Sequence, residues 1–221
     1  MVRTPSCNFF AQLRPYFYLG AILADITTHL GPDFYSGIIF FGSTPFRSWN
    51  TEIMNPWLAG MFPRVLSPEL PDLCSTARDF VEAFAFYPEK IHPATKLTWI
   101  GAYASQHPGA RTNYITRTQD EAALKAAAGK VPVLTLLGKD DKFILSDRVE
   151  KLFKETFADV EVYVWPEVGH IPFFEEPEKT RDAILTFVKR VTKVRLFLLQ
   201  ASPVSHISLA GLNITVDHVK L

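Results

Sequence analysis

The feature that most constrains the fold is an alternation of strand-like and helix-like segments in residues 131–191. Two short apolar runs, at 131–138 and 160–165, predict buried strands. Each run is followed by a segment in which apolar residues recur every three or four positions, as on one face of a helix. These residues are Val149, Leu152, Phe153 and Phe157 in the first segment, and Ile184, Phe187, Val188 and Val191 in the second. Because this order favours parallel pairing through right-handed crossovers, it predicts an α/β fold with a parallel sheet.

A similar pattern begins earlier in the chain. Apolar residues at 19, 22, 23, 26 and 30 share one helical face, and Gly31-Pro32 ends that predicted helix. The apolar run 37–42 is bounded by glycines and predicts a strand that is buried on both faces. Residues 1–18 show no clear period, so we expect an irregular start.

Residues 45–118 are rich in proline and aromatic residues and show no sustained strand-like alternation. Segments 73–86 and 94–105 predict helices, so we interpret this region as an inserted helical lobe. An alanine-rich helix is predicted at 120–128, and the tail has an apolar run at 196–199 that is either an extra strand or a poorly packed extension. The predicted organisation is an irregular start (1–18), a core (19–44 and 119–193), a helical lobe (45–118) and a tail extension (194–221).

Composition and charge exclude several classes of partner. The 23 Lys and Arg residues balance the 23 Asp and Glu residues, so the chain lacks the basic surplus typical of proteins that bind nucleic acid or anionic membranes. No stretch is long and apolar enough for a membrane span. The apolar run 16–24 imitates a secretory signal, but Asp25 directly follows it and the apolar pattern continues at Ile26 and Leu30, as in an amphipathic helix. Cys7 and Cys74 are too few for a disulfide framework. We therefore expect a cytoplasmic protein, and its oligomeric state stays open.

The 18 phenylalanines leave two interpretations open, either an apolar substrate pocket in the lobe or a Phe-rich core. No histidine, cysteine or carboxylate pattern has metal-ligand spacing, and no glycine-rich loop is typical of phosphate binding. The sequence therefore predicts no metal and no cofactor.

Ionisable residues follow two of the predicted strands. Asp140 and Asp141 come after the run 131–138, and His170 lies in Gly-His-Ile-Pro after the run 160–165. Because the carboxyl ends of parallel strands meet at one edge, we expect an imidazole and a carboxylate to approach within hydrogen-bonding reach. Such a pair is two thirds of a nucleophile–base–acid triad. The alternative is a surface aspartate and an unrelated loop histidine.

The segments VPVLTLLGKDD (131–141) and VGHIPFFEEPEKTRDAILTFV (168–188) resemble the C-terminal half of the α/β-hydrolase fold family. The resemblance implies a partial, doubly wound parallel sheet with an inserted helical cap at 45–118. It implies Asp141 as the catalytic acid, with Asp140 as second candidate, and His170 as the general base. It also implies that the helix at 19–30 follows the nucleophile turn.

The nucleophile of this family lies in a Gly-x-Ser-x-Gly turn, and the chain has no such motif. The expected position falls on Phe17 or Tyr18, and we expect the strands that precede the turn in the family, with the loop that forms half of the oxyanion hole, to be missing as well. Ser43 follows a strand but lacks the turn, and Ser36 precedes that strand and faces the wrong end. Cys7 and Cys74 have no basic neighbour in sequence to activate a thiolate.

Two hypotheses follow for the function. The resemblance implies serine-type hydrolysis of an ester, amide or similar bond in a small apolar substrate, with negligible turnover because the nucleophile is absent. The alternative is a non-catalytic remnant or an interaction scaffold that keeps part of the fold.

Overall fold

A parallel sheet forms the centre of the computed structural model, which describes residues 9–11, 19–67, 69–107, 109 and 117–200. Within these residues the sheet has four strands, and every neighbouring pair is parallel. In sheet order, which is also chain order, the strands are β1 (Phe9–Ala11), β2 (Gly37–Phe41), β3 (Val133–Gly138) and β4 (Val160–Trp165). The predicted α/β fold with a parallel sheet is therefore confirmed.

Helices connect successive strands, as parallel pairing requires. One lies between β1 and β2, several lie between β2 and β3, and one lies between β3 and β4. In chain order the described helices are α1 (Leu19–Leu30), α2 (Asn50–Ile53), α3 (Pro56–Leu66), α4 (Leu70–Ala83), α5 (Pro93–Ala104), α6 (Ala122–Ala127), α7 (Ser146–Thr156), α8 (Pro172–Glu175) and α9 (Pro177–Gln200). No helix in the described part of the chain combines the length and the apolar character needed to cross a membrane.

The core lies on both faces of the sheet, because every residue of β2 and β3 is buried. Successive side chains alternate between the faces, so Phe40 packs with Phe153 of α7, whereas Ile39 and Phe41 pack with Phe187 of α9. Leu23 of α1 joins the first cluster. Burial on both faces of the sheet therefore explains why the sequences of the two central strands are apolar runs without alternation.

Two terminal regions differ from the prediction. Residues 1–18, expected to be irregular, include β1, which pairs with β2 from Phe9↔Gly37 to Ala11↔Ile39. Three residues are too few to show a strand period, so the sequence pattern does not reveal this strand. The run 196–199 belongs to α9 rather than to an extra strand, because no Gly or Pro interrupts the helix after Pro177. The other residues of 1–18 and of 194–221 that lie outside the described ranges are not characterised.

Helices between β2 and β3 match the expected helical character of that region, with shifted limits for α4 and α5. Helix α3 was not predicted, because Pro63 lies within it and proline normally ends a helix. Its start has a recognisable signal: the Asn55 side chain accepts a hydrogen bond from the Trp57 amide at 3.0 Å, and Pro56 occupies the first helical position.

Candidate active site

The loops that follow β3 and β4 leave the sheet side by side. The last paired residues of the two strands are Gly138 and Trp165. Beyond them, the Lys139 amide donates to the Trp165 carbonyl at 2.8 Å, and the Asp140 amide donates to the Val168 carbonyl at 3.0 Å. The backbone therefore holds the two loops together at the carboxyl edge, where α/β sheets bind their ligands.

Asp141 and His170 meet between these loops. The distance from His170 Nδ1 to Asp141 Oδ2 is 2.8 Å, and the two side chains are 3% and 0% exposed. The approach predicted from the sequence is therefore present. When Asp141 is ionised it accepts a hydrogen bond from Nδ1–H, which leaves Nε2 as the imidazole's acceptor atom.

The second oxygen of Asp141 is also held in place. Oδ1 accepts hydrogen bonds from the amides of Phe143 at 2.6 Å and Ile144 at 3.2 Å. The Asn55 side chain donates to the Asp141 carbonyl at 3.2 Å, which ties this loop to the segment before α3. Backbone amides of its own turn thus orient the Asp141 carboxylate independently of its contact with the imidazole.

Asp140, the second candidate for the acid, has a different role. It is exposed, and its Oδ2 accepts a hydrogen bond from the Glu167 amide at 2.9 Å. Glu167 has a φ of 58°, an uncommon conformation for a residue other than glycine. Asp140 therefore links the two loops at their outer side, and Asp141 is the carboxylate that reaches His170.

Aromatic rings surround the imidazole of His170. Its centroid lies 4.6 Å from that of Phe143 and 6.3 Å from that of Phe84, and the His170 amide donates to the Phe84 carbonyl at 2.7 Å. Phe84 and Phe143 also stack on each other and contact Trp99 and Trp57 respectively. Of the two interpretations of the phenylalanine surplus, these contacts support the core, since the rings mainly pack on one another.

Glu175 is a partly buried carboxylate that the sequence analysis missed. Its Oε1 accepts a hydrogen bond from the Phe86 amide at 2.7 Å, and its Oε2 accepts one from the Gly169 amide at 2.8 Å. Burial raises the pKa of Glu175 above its ordinary value of 4.5, and these backbone hydrogen bonds oppose that shift. Nothing in the sequence distinguishes it from the adjacent Glu176, whose side chain pairs with Lys179 at 2.9 Å.

The start of α1 lies on the other side of the same region. A Cβ on Gly20 would overlap the Thr44 carbonyl, so the first turn of α1 packs directly on the backbone that follows β2. Gly42, between them and the histidine, has a φ of 53°, and a Cβ there would lie 2.6 Å from the His170 carbonyl oxygen and 3.1 Å from Nδ1. Phe17 and Tyr18, the expected nucleophile positions, lie outside the described residues.

The other sequence candidates are dispersed. Ser43 is 3% exposed and follows β2 beside Gly42, whereas Ser36 precedes β2 at the opposite edge of the sheet. Cys74 is an exposed free thiol on α4, and Cys7 lies outside the described residues. Across the described ranges, no group of three or more His, Cys, Asp or Glu side chains is arranged to hold a metal ion.

Comparisons with known proteins give a result at the level of structure only. No protein-family model matches the sequence, and no curated protein matches it. A candidate aryl esterase from Burkholderia cenocepacia is similar over 80% of this chain and 63% of its own, with a TM-score of 0.70 and 17% identity. An esterase from Rhodococcus sp. ECU1013 is similar over 85% and 64%, with a TM-score of 0.64 and 21% identity.

A bromoperoxidase from Bacillus anthracis shows the same relationship, with a TM-score of 0.60, 16% identity and coverage of 79% of this chain and 65% of its own. This chain thus spans a little under two thirds of each of these solved structures. The neighbours differ in chemistry but have one architecture in common, the one that the sequence resemblance implies. The chain therefore has the α/β-hydrolase fold.

Proposed function

We propose that Asp141 and His170 are the acid and the general base of a serine-type hydrolytic site for an ester, amide or similar bond in a small apolar substrate. The observation that carries this proposal is the buried 2.8 Å contact between His170 Nδ1 and Asp141 Oδ2 at the carboxyl ends of neighbouring strands. The three solved structures described above are named as esterases or a bromoperoxidase, which supports acyl chemistry as one use of this architecture.

The geometry suits proton transfer at one atom, Nε2 of His170. In serine-type hydrolysis a hydroxyl attacks the substrate carbonyl and gives its proton to Nε2, and the same nitrogen then returns the proton to the leaving group. Water hydrolyses the resulting acyl intermediate by the same route. Asp141 keeps the imidazole in the tautomer that accepts at Nε2 and stabilises the imidazolium formed after each transfer.

The sequence offers no nucleophile motif that would supply the activated hydroxyl for these steps. It contains no Gly-x-Ser-x-Gly motif, and the expected positions hold Phe17 and Tyr18. A triad without its nucleophile keeps only a small residual rate from substrate binding and oxyanion contacts. We therefore propose negligible turnover, and this same absence favours the second candidate function, a non-catalytic remnant or interaction scaffold.

We further propose that residues 45–118 are the cap of the site. Helices α2 to α5 lie in this segment, between β2 and β3. The segment after α4 contacts the base through the Phe84 carbonyl and the Phe84 ring. A small apolar substrate suits the aromatic rings of Phe84 and Phe143 beside the imidazole.

The first test measures hydrolysis of p-nitrophenyl acetate and butyrate by the full chain and by H170A. We expect both proteins to remain at the rate of the uncatalysed reaction. Turnover that survives in H170A would show that the active site lies elsewhere. Turnover that is present in the full chain and abolished in S43A would identify Ser43 as the nucleophile.

The second test supplies the missing group. The substitutions Y16G and Y18S create Gly-x-Ser-x-Gly with the existing Gly20 as its last residue. We expect ester hydrolysis above that of the full chain, and a loss of about 100-fold or more of that gain when H170A is added, since a general base contributes roughly 10²–10⁴-fold. Y16G with Y18A is the matched control. A folded Y16G/Y18S protein without any gain would favour the non-catalytic alternative.

A further inference from the structure

The Glu175 carboxylate bridges two segments that are distant in sequence. One of its oxygens accepts from the Phe86 amide, which follows α4, and the other accepts from the Gly169 amide, which precedes His170. Glu175 is the last residue of α8, and its side chain lies between the Phe86 and Gly169 amides. Each oxygen therefore serves a different segment, and neither segment is part of α8.

The bridge stands beside a direct hydrogen bond between the same two segments. The His170 amide donates to the Phe84 carbonyl at 2.7 Å, so Gly169 and His170 are held against residues 84–86 by three hydrogen bonds in all. Two of these three bonds end on the Glu175 carboxylate, and bonds to an ionised acceptor are the stronger kind. The backbone that carries the imidazole is thus joined to residues 84–86 by one direct hydrogen bond and by one bridge through the Glu175 carboxylate.

We propose that Glu175 is a positioning residue whose carboxylate fixes the Gly169–His170 backbone against residues 84–86 and thereby holds the imidazole at Asp141. A contribution of Glu175 to catalysis rests on the proposed function, whereas its effect on the position of the imidazole does not. Only an acceptor with two equivalent oxygens satisfies both amides. A glutamine has one acceptor oxygen, and its NH₂ group would face the second amide donor.

A purely local role for Glu175 predicts something different. If the carboxylate only stabilised the start of α8, its replacement would lower stability and leave the contact between Asp141 and His170 as it is. Helix α8 has four residues, and the Gly169 amide lies three residues before it. An NMR signal from the His170 imidazole therefore distinguishes a positioning role from local stabilisation of α8.

The test compares E175Q with E176Q in the full chain. E176Q makes the same chemical change one residue later, where the side chain pairs with Lys179 and does not touch the His170 loop. The first readout is the Nδ1 proton of His170 in NMR spectra of protein with ¹⁵N-labelled histidine, assigned by its loss in H170A. We expect this downfield signal in the full chain and in E176Q, and its loss or a clear upfield shift in E175Q.

The second readout is hydrogen exchange of the Phe86 and Gly169 amides. We expect at least one of them to exchange about tenfold faster or more in E175Q, and neither to change in E176Q. A folded E175Q protein in which the Nδ1 signal and both amides are unchanged would overturn the proposal. If E175Q does not fold, the same exchange measurement on the unsubstituted protein is the test. Exchange of both amides there at the rate of an unstructured peptide would also overturn the proposal.

These readouts separate the positioning role from the catalytic proposal. Neither of them requires turnover, so a failure of the esterase tests leaves the expected NMR changes intact. Conversely, unchanged NMR signals in E175Q would remove the positioning role while hydrolysis by Y16G/Y18S remained dependent on His170.

Discussion

The two sides of the candidate site are built to different degrees. On the side of β3 and β4, Asp141 and His170 are buried, hydrogen-bonded to each other and held by backbone amides. On the side of β1 and α1, the first turn of α1 packs on Thr44, but the sequence before it lacks the nucleophile motif. Asp141 and His170 thus owe their placement to contacts within their own loops.

An intact Asp141–His170 pair therefore does not by itself establish the proposed activity. The Asp141 carboxylate satisfies two amides of its own turn, so its contacts contribute to folding whether or not catalysis occurs. Substitutions on each side therefore test whether the pair is primarily part of the folded core or part of a working site.

The largest effect is expected from D141A. The change leaves the His170 Nδ1 group and two buried amides without their acceptor, and each buried group left without a partner typically costs about 1–3 kcal/mol. We therefore expect a loss of about 3 kcal/mol or more in the free energy of unfolding, measured by urea denaturation. D140A is the matched control, because its exposed side chain accepts only the Glu167 amide. Equal losses in the two variants would contradict the assignment of Asp141 as the buried member.

A smaller loss is expected from G42A, where β2 meets the histidine. Alanine is strained at a φ of 53°, and its Cβ would displace the His170 backbone, which together predict a loss of about 2 kcal/mol. The control is G101A on α5, where a Cβ meets no atom within 4 Å and alanine suits a helix better than glycine. We expect G101A to raise the urea midpoint slightly, so a rise in both variants would show that Gly42 is not constrained.

The smallest effect is a change of stability with pH that depends on Glu175. Burial raises the pKa of its carboxyl above 4.5 in the folded protein, so the folded state binds this proton more tightly than the unfolded state does. The resulting stability is present at low pH and is lost as pH rises through the raised pKa. We expect the difference in unfolding free energy between the full chain and E175Q to fall from pH 4.5 upward. A difference that rises over this range would contradict the sign of the shift.

The sequence predicts the second half of the fold well. The run 160–165 coincides with β4, and the apolar residues Val149 and Phe153 of α7 are buried in the core. These elements are predictable because burial on a parallel sheet imposes long apolar runs and regular helical faces. The pairing of Asp141 with His170 follows for the same reason, since the order of the strands places the two loops side by side.

The features that the sequence does not reveal depend on contacts between distant segments. Strand β1 is too short for a period, and α3 contains a proline that conceals its helical character. Glu175 differs from Glu176 only in what it touches after folding, namely amides of residues 86 and 169. No local pattern records such contacts, so only a structure identifies them.

The hydrogen bond from the His170 amide to the Phe84 carbonyl couples the position of the imidazole to the segment between β2 and β3. If the whole segment between β2 and β3 moved as one body, this hydrogen bond would move the imidazole away from Asp141. A movement of this segment that leaves the imidazole beside Asp141 must therefore leave residues 84–86 in place as well.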